Sequence, residues 1–173
     1  MDLLNTDLEI LFIFGGFLLI AIVMVLIAQW RIEQKNEEIR ENVFRKKLIH
    51  FEEFEKNWIV HKQGNKGISG YKYNDTSGCY VIFIYNDYTN KENYRNYEEI
   101  YIGQSINICQ RVHNHFNGKG NGDVYADIKY GKEVYVQFIP CAKYSMNDTE
   151  KELIKAFNAT NSYNFTQGGS KYR

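Results

Sequence analysis

Residues 79–85 read CYVIFIY, an unbroken run of β-branched, aromatic and small apolar residues that begins directly after Gly78. A run this short and this apolar is the mark of a strand. Two further runs repeat it, Glu99 to Gly103 (EIYIG) and Glu133 to Ile139 (EVYVQFI). Between the second and third, Ser105 is placed to cap a helix reaching about Phe116; after the third, Asn147 or Asp148 is placed to cap one reaching about Phe157. The order strand, strand, helix, strand, helix predicts an α+β domain over 76–173, a small three-stranded mixed or antiparallel sheet flanked by helices.

Upstream the pattern changes twice. Residues 61–75 hold Gly64, Gly67 and Gly70 and read as a linker. Residues 29–60 are densely charged, with Ile32, Ile39, Val43, Leu48, Phe51, Phe54 and Trp58 at spacings near three, four and seven, which predicts a juxtamembrane helix. Its interleaved charges suit a solvated helix or a self-associating coil, so a homodimer through this segment is one partner reading, and Arg45-Lys46-Lys47 suits anionic lipid. Behind a short tail, 1–9, residues 10–28 (ILFIFGGFLLIAIVMVLIA) carry no charge. As a helix they extend about 28 Å, close to the hydrocarbon thickness of a bilayer. A signal peptide would begin with basic residues, whereas Asp2, Asp7 and Glu9 precede this stretch and Gln29-Trp30-Arg31 follow it. No Lys or Arg lies before the helix, and Arg31, Lys35, Arg40, Arg45, Lys46 and Lys47 follow. By the positive-inside rule the expectation is a single-pass protein of a bacterial-type plasma membrane, N-terminus outside and the remainder cytoplasmic.

Composition bounds the rest. The 173 residues balance 21 Lys and Arg against 21 Asp and Glu, and 44% are hydrophobic, enough for one packed domain and too apolar for a disordered chain. A mean hydropathy of −0.48 argues against several membrane spans. Cys79, Cys109 and Cys141 are odd in number, widely spaced and without a CxxC pair, so neither a disulfide framework nor a zinc site is suggested.

The ordered set Gly78-Cys79-Tyr80, Tyr101-Ile102-Gly103, Arg111, His115, Glu150 with Leu153-Ile154, and Tyr163-Asn164-Phe165-Thr166-Gln167-Gly168-Gly169 resembles the GIY-YIG nuclease family over about residues 76–170. Two features depart from the family pattern. Cys79 stands where Ile or Val is usual, and the stretch between Tyr80 and Tyr101 is long and polar, an enlarged hairpin loop that a site-edge position would bring to substrate.

The resemblance implies a metal-dependent phosphodiesterase. Glu150 would hold a single Mg²⁺ or Mn²⁺, a hard ion content with one carboxylate, water and phosphate oxygens. Glu152 is its nearest competitor. Arg111 would fork onto the scissile phosphate. Tyr80 would face the attacking water, with His115, one turn beyond Arg111, relaying its proton. Tyr101 would complete the pocket, Gly103 would admit close backbone approach, and Asn164 would fix the site locally. His113, His50 and His61 read as structural or solvated. The loop 118–123 reads equally as a phosphate contact through Lys119 or as a turn.

From residue 76 onward, 11 Lys and Arg face 10 Asp and Glu, a net of +1, without the basic excess of a strong nucleic-acid binder. No zinc-finger spacing or helix-turn-helix is visible, which predicts low-specificity cutting. The expected role is an endonuclease acting on DNA that enters the cell, such as phage or plasmid DNA, with the tether raising local concentration. Three alternatives stand beside it: an outward-facing enzyme of DNA uptake, a catalytically silent nucleic-acid-binding module, and RNA as substrate.

Overall fold

The computed structural model describes residues 3–62, 76–166 and 168. Residues 63–75 of the expected linker, together with Gln167 and Gly169 of the C-terminal motif, lie outside the described residues, as does the His61 side chain.

Residues Leu3–Phe44 form one helix, α1, of 42 residues and about 63 Å. Its N-terminal part is long and apolar enough to cross a membrane, and none of that apolar window is buried against the rest of the chain. The helix then runs without a break into the charged segment. The single helix expected over 29–60 is interrupted: the chain leaves α1 after Phe44, makes a two-residue strand β1 (Ile49–His50) and only then enters α2 (Phe51–Lys62). The reason is packing. Leu48, Phe54 and Trp58 are core residues of the folded domain, and a straight continuation of α1 would carry them away from it.

Three more strands and three more helices follow: β2 (Gly78–Tyr85), β3 (Glu99–Ser105), α3 (Ile108–Phe116), α4 (Gly122–Lys129), β4 (Glu133–Pro140) and α5 (Met146–Ala156). The sheet has four antiparallel strands in the order β1-β4-β2-β3, so the short β1, unforeseen in the sequence, is added beyond the three expected strands. Capping also differs from expectation. Asn107, whose side chain accepts the Gln110 N–H, caps α3 in place of Ser105, the last residue of β3. The N-cap of α5 is Ser145, after a 3₁₀ turn at Lys143–Ser145, which leaves the Asn147 side chain available for another contact. Asn121 caps α4, an element hidden in a glycine-rich stretch.

β2 is buried along its whole length because helices cover both sheet faces. Cys79, Val81, Phe83 and Tyr85 point to one side, against Val43 and Phe44 of α1 and Leu153, Ile154 and Phe157 of the α5 region. Tyr80, Ile82 and Ile84 point to the other, against Phe54 and Trp58 of α2, Ile108, Val112 and Phe116 of α3, and Val124 of α4. His113 and Glu55 join α2 to α3 through a 2.9 Å contact, and His50 packs on Phe51 and Tyr135, so both histidines occupy structural positions.

The enlarged β2–β3 connection does not reach the motif end of the sheet. It starts at Tyr85, roughly 17 Å along the strand from Tyr80, and folds back onto α1 and β1. Tyr94 is buried and accepts the Leu48 N–H at 3.2 Å, while Arg95 pairs with Glu37 and Glu41 of α1. On the other side of α1, Lys35 meets Glu152 at 2.6 Å, and Arg40 donates to the Ala156 carbonyl at the end of α5. The C-terminal part of α1 is thereby clamped from two sides.

If residues 48–62 belong to the folded domain, Phe54→Ala removes a fully buried ring and lowers unfolding stability by about 3–5 kcal/mol. Denaturant titration of the full chain in detergent checks this; a change within about 0.5 kcal/mol, the size expected of a surface site, would return this segment to solvent.

Candidate active site

β3 is an edge strand, and its free edge organises the site. Ile100 and Ile102 turn their backbone groups outward, where an unpaired ladder would invite another strand. The segment after α5 satisfies them. The Asn164 amide donates to the Ile102 carbonyl at 2.7 Å and accepts the Ile102 N–H at 2.8 Å; Ser162 Oγ accepts the Ile100 N–H at 2.8 Å, and the Tyr163 N–H donates to the Ile100 carbonyl at 3.2 Å. Tyr163 Oη in turn donates to Asp127 on α4, closing the segment over the sheet edge.

A pocket opens where this segment crosses β3, lined by Tyr101, Gln104, Asn121, Glu150, Asn164, Phe165 and Gly168 among others. Tyr101 reaches it from one sheet face. Glu150, 9% exposed on the first turns of α5, reaches it from the other and accepts a hydrogen bond from Gln104 Nε2 at 2.8 Å. The same Gln104 nitrogen donates to Asn147 Oδ1 at 2.7 Å, so Gln104 and Asn147 together hold the carboxylate. Glu152 is turned away from the pocket and paired with Lys35, whereas Glu150 lines it.

Behind Tyr101 stands Tyr80, 1% exposed. The register places Tyr80 opposite Gly103 and Tyr101 opposite Ile82, so both tyrosines share a face, with ring centroids 6.3 Å apart. Gly103 is required by this pairing: a Cβ there would lie 2.6 Å from Tyr80 Cζ and collide with the phenol oxygen. The close approach anticipated at Gly103 is thus made by the side chain of its own cross-strand neighbour.

Tyr80 Oη lies 2.8 Å from His115 Nε2. The other ring nitrogen, Nδ1, accepts the Asn121 backbone N–H at 2.7 Å and therefore carries no proton. Burial, with the nearby Arg111 charge, pushes the His115 pKa down to about 3, so the ring is neutral and its single proton sits on Nε2, donated to Tyr80. The proton-relay role expected of His115 is thereby reversed, since a nitrogen that is donating to Tyr80 cannot take the Tyr80 proton. The 118–123 loop acquires a purpose: it brings the Asn121 N–H to His115. Lys119 is exposed on this loop and is not among the residues lining the pocket.

Arg111, on α3, sets its guanidinium beside the phenol oxygens of both tyrosines. Burial raises the pKa of Tyr80 well above its ordinary value, helped by Tyr101, while Arg111 works in the opposite sense. Tyr101 is raised by burial and lowered by Arg111 and by its contact with Tyr80. The structure thus gathers Tyr80, Tyr101, Gly103, Arg111, His115, Glu150 and Asn164 around one sheet edge.

The GIY-YIG catalytic domain model matches residues 76–164, just over half of the chain. The chain belongs to the GIY-YIG family. It therefore carries a nuclease domain, of a family whose members generally depend on a divalent metal and act on nucleic acid. No curated protein and no solved structure matches the chain.

The donor set suits such an ion. Among the described residues no three His, Cys, Asp or Glu side chains gather into a cage. A hard divalent cation that takes one carboxylate and otherwise water and phosphate oxygens fits a GIY-YIG pocket whose acid is Glu150. Sequence reasoning missed Gln104, Asn121, Asn147, Asp127 and Ser162. Gln104 follows the YIG tripeptide directly, and Asn121 precedes Gly122 at a helix start; the other three act through contacts between distant segments that no local signal announces.

Gly103→Ala should displace the Tyr80 ring and lower cleavage by about a hundredfold, the cost of roughly an ångström of misplacement; single-turnover rates check it, and undiminished activity would show that the approach is slack. His115, neutral when folded, contributes stability that is complete above its unfolded pKa near 6.5 and is lost as pH falls toward 3. Denaturant midpoints of His115→Gln should therefore fall less steeply between pH 6.5 and 4 than those of the wild type, and equal slopes would refute the buried neutral ring.

Proposed function

We propose that this chain is a membrane-anchored, divalent-metal-dependent DNA endonuclease of low sequence specificity, acting from the cytoplasmic face on DNA entering the cell. The observation that carries the reading is the convergence of two phenols, one guanidinium and one carboxylate at the edge of β3 in a GIY-YIG domain. A silent binding module has no use for Gln104 and Asn147 holding Glu150, nor for a histidine whose tautomer is fixed against Tyr80. The anchor is supported by the uncovered apolar part of α1, and the orientation by six cations directly after it. Because α1 runs unbroken from Ala28 to its docking site near Ile39, about 16 Å, the domain would stand close to the bilayer on a stiff post.

In this reading Glu150 would hold a single Mg²⁺ or Mn²⁺, which would supply positive charge for the leaving oxygen. Arg111 hydrogen-bonds the non-bridging oxygens of the scissile phosphate, whose negative charge grows as water adds to phosphorus. The water's proton passes into the Tyr101–Tyr80 pair, Tyr101 at the pocket face and Tyr80 behind it. The pair accepts this proton as a phenolate, which His115 Nε2–H and Arg111 stabilise beforehand; taking it leaves both phenols neutral, and a solvent proton completes the leaving hydroxyl. Asn164 keeps β3 in place.

With full-length protein in detergent or nanodiscs, linear and circular DNA should be cut in Mg²⁺ and left intact in EDTA. Glu150→Gln and Tyr80→Phe should each lower the rate by about 10²–10⁴. Cutting that persists in EDTA, or in both variants, would overturn the mechanism; folded protein that never cuts would favour a silent module.

A further inference from the structure

Two features beside the pocket are unused by the chemistry above. The first is Phe165, 88% exposed at the pocket lip. A lone exposed phenylalanine is ordinary, but this one follows Asn164, which is pinned to Ile102 by two hydrogen bonds, and Tyr163, which is pinned to Ile100 and Asp127. The ring is thus presented from an anchored turn, next to Tyr101 and Glu150.

The second is a groove on the far side of Gly168, lined by Lys151, Ile154, Lys155, Asn158, Thr160 and Gly168. Lys151 and Lys155 lie one turn apart on α5, about 6 Å along its axis, a spacing that matches neighbouring phosphates of a strand. Both are exposed and enter no ion pair among the described residues, while Glu152 between them is turned to Lys35 on α1. Gly168 lines both this groove and the catalytic pocket, at a φ of +79°. A Cβ there would come within 2.9 Å of Glu150 Oε2 and of Ile154 Cδ1, so only a bare backbone can lie this close to the carboxylate at the point where groove and pocket share a wall.

We propose that an unpaired DNA strand threads this path, its phosphates on Lys151 and Lys155, its backbone crossing Gly168 into the pocket, and a base beside the scissile phosphate stacked on Phe165. The inference rests on the nuclease reading and adds a substrate preference to it. A flat ring binds a base face only where that face is not already stacked in a duplex, so single strands and locally opened duplexes are favoured over paired DNA. Two lysines contribute to the salt dependence at about 0.7 per phosphate contact on a single strand.

Full-length protein is titrated by fluorescence anisotropy in EDTA with a single-stranded oligonucleotide, its duplex, and the duplex carrying a central unpaired bubble; cleavage of the same three is followed in Mg²⁺. Thermal unfolding of each variant confirms that it folds. The expected result is tighter binding and faster cutting of the single strand and the bubble. Phe165→Ala and Phe165→Leu should each weaken single-strand binding about tenfold and leave duplex binding nearly unchanged. Lys151→Gln with Lys155→Gln should reduce the slope of log K against log salt by about 1.4. Equal handling of all three DNAs, or a Phe165→Leu variant that binds as the wild type, would overturn the path even while cutting upholds the nuclease. Conversely, the binding arms decide the path even if no DNA is cut. If the lysine variant loses adhesion to vesicles containing anionic lipid while its DNA binding is unchanged, the groove is a membrane contact and the proposal fails.

Discussion

The backbone of Ile102 faces away from the sheet with one N–H and one C=O to satisfy, and the Asn164 amide answers both. An amide is the side chain that offers a donor and an acceptor in the spacing of a neighbouring strand's peptide. Leaving these two groups unmade in a buried position would cost roughly 1–3 kcal/mol each. Making them fixes more than stability. It lays residues 162–166 across the edge of β3, which closes one wall of the pocket, presents Phe165 at its lip and accompanies the placement of Gly168 against Glu150. The site is built around an edge strand because only an edge lets groups from both faces of a sheet, Tyr101 and Arg111 on one and Glu150 on the other, come together at one place.

Much of this was legible in the chain. CYVIFIY is apolar at every position because both faces of β2 are covered, and the alternate residues of EIYIGQS place Tyr101 and Gly103 on the face of Tyr80. The strand runs and the helix around Arg111 therefore declared themselves. What stayed hidden depends on contacts between distant segments. Phe54 and Trp58 sit at helical spacing in a charged run, so they read as one stripe of a solvated helix; their partners Phe116 and Phe138 lie more than fifty residues away in sequence. The tautomer of His115 was equally out of reach, because it is decided by a backbone N–H at Asn121 and not by any side chain.

The enlarged β2–β3 connection shows how topology overrides proximity in sequence. It lies between the two tyrosine motifs, yet it emerges at the end of the sheet far from both, and its Tyr94 and Arg95 are spent on holding α1. Tyr85 and Tyr135 bind its carbonyls from the strands beneath, at Tyr94 and Thr89. With Arg40 and Lys35 engaged on the α5 side, α1 is gripped by charge on both flanks and by Val43 and Phe44 in the core between them. The helix that carries the apolar stretch is therefore an integral part of the fold that carries the catalytic residues, and movement of one is transmitted to the other through side chains already packed.

This division of labour bears on a domain whose net charge is only +1. A uniform basic surface would bind any polyanion, nucleic acid and anionic lipid alike. Here Arg95, Lys132, Lys35 and Arg40 are matched with carboxylates away from the pocket, whereas Arg111, Lys151 and Lys155 face it or its continuation without an acidic partner among the described residues. In the proposed anchored arrangement a low net charge is no handicap, because the post on which the domain would stand, and not its surface charge, would determine which nucleic acid it meets.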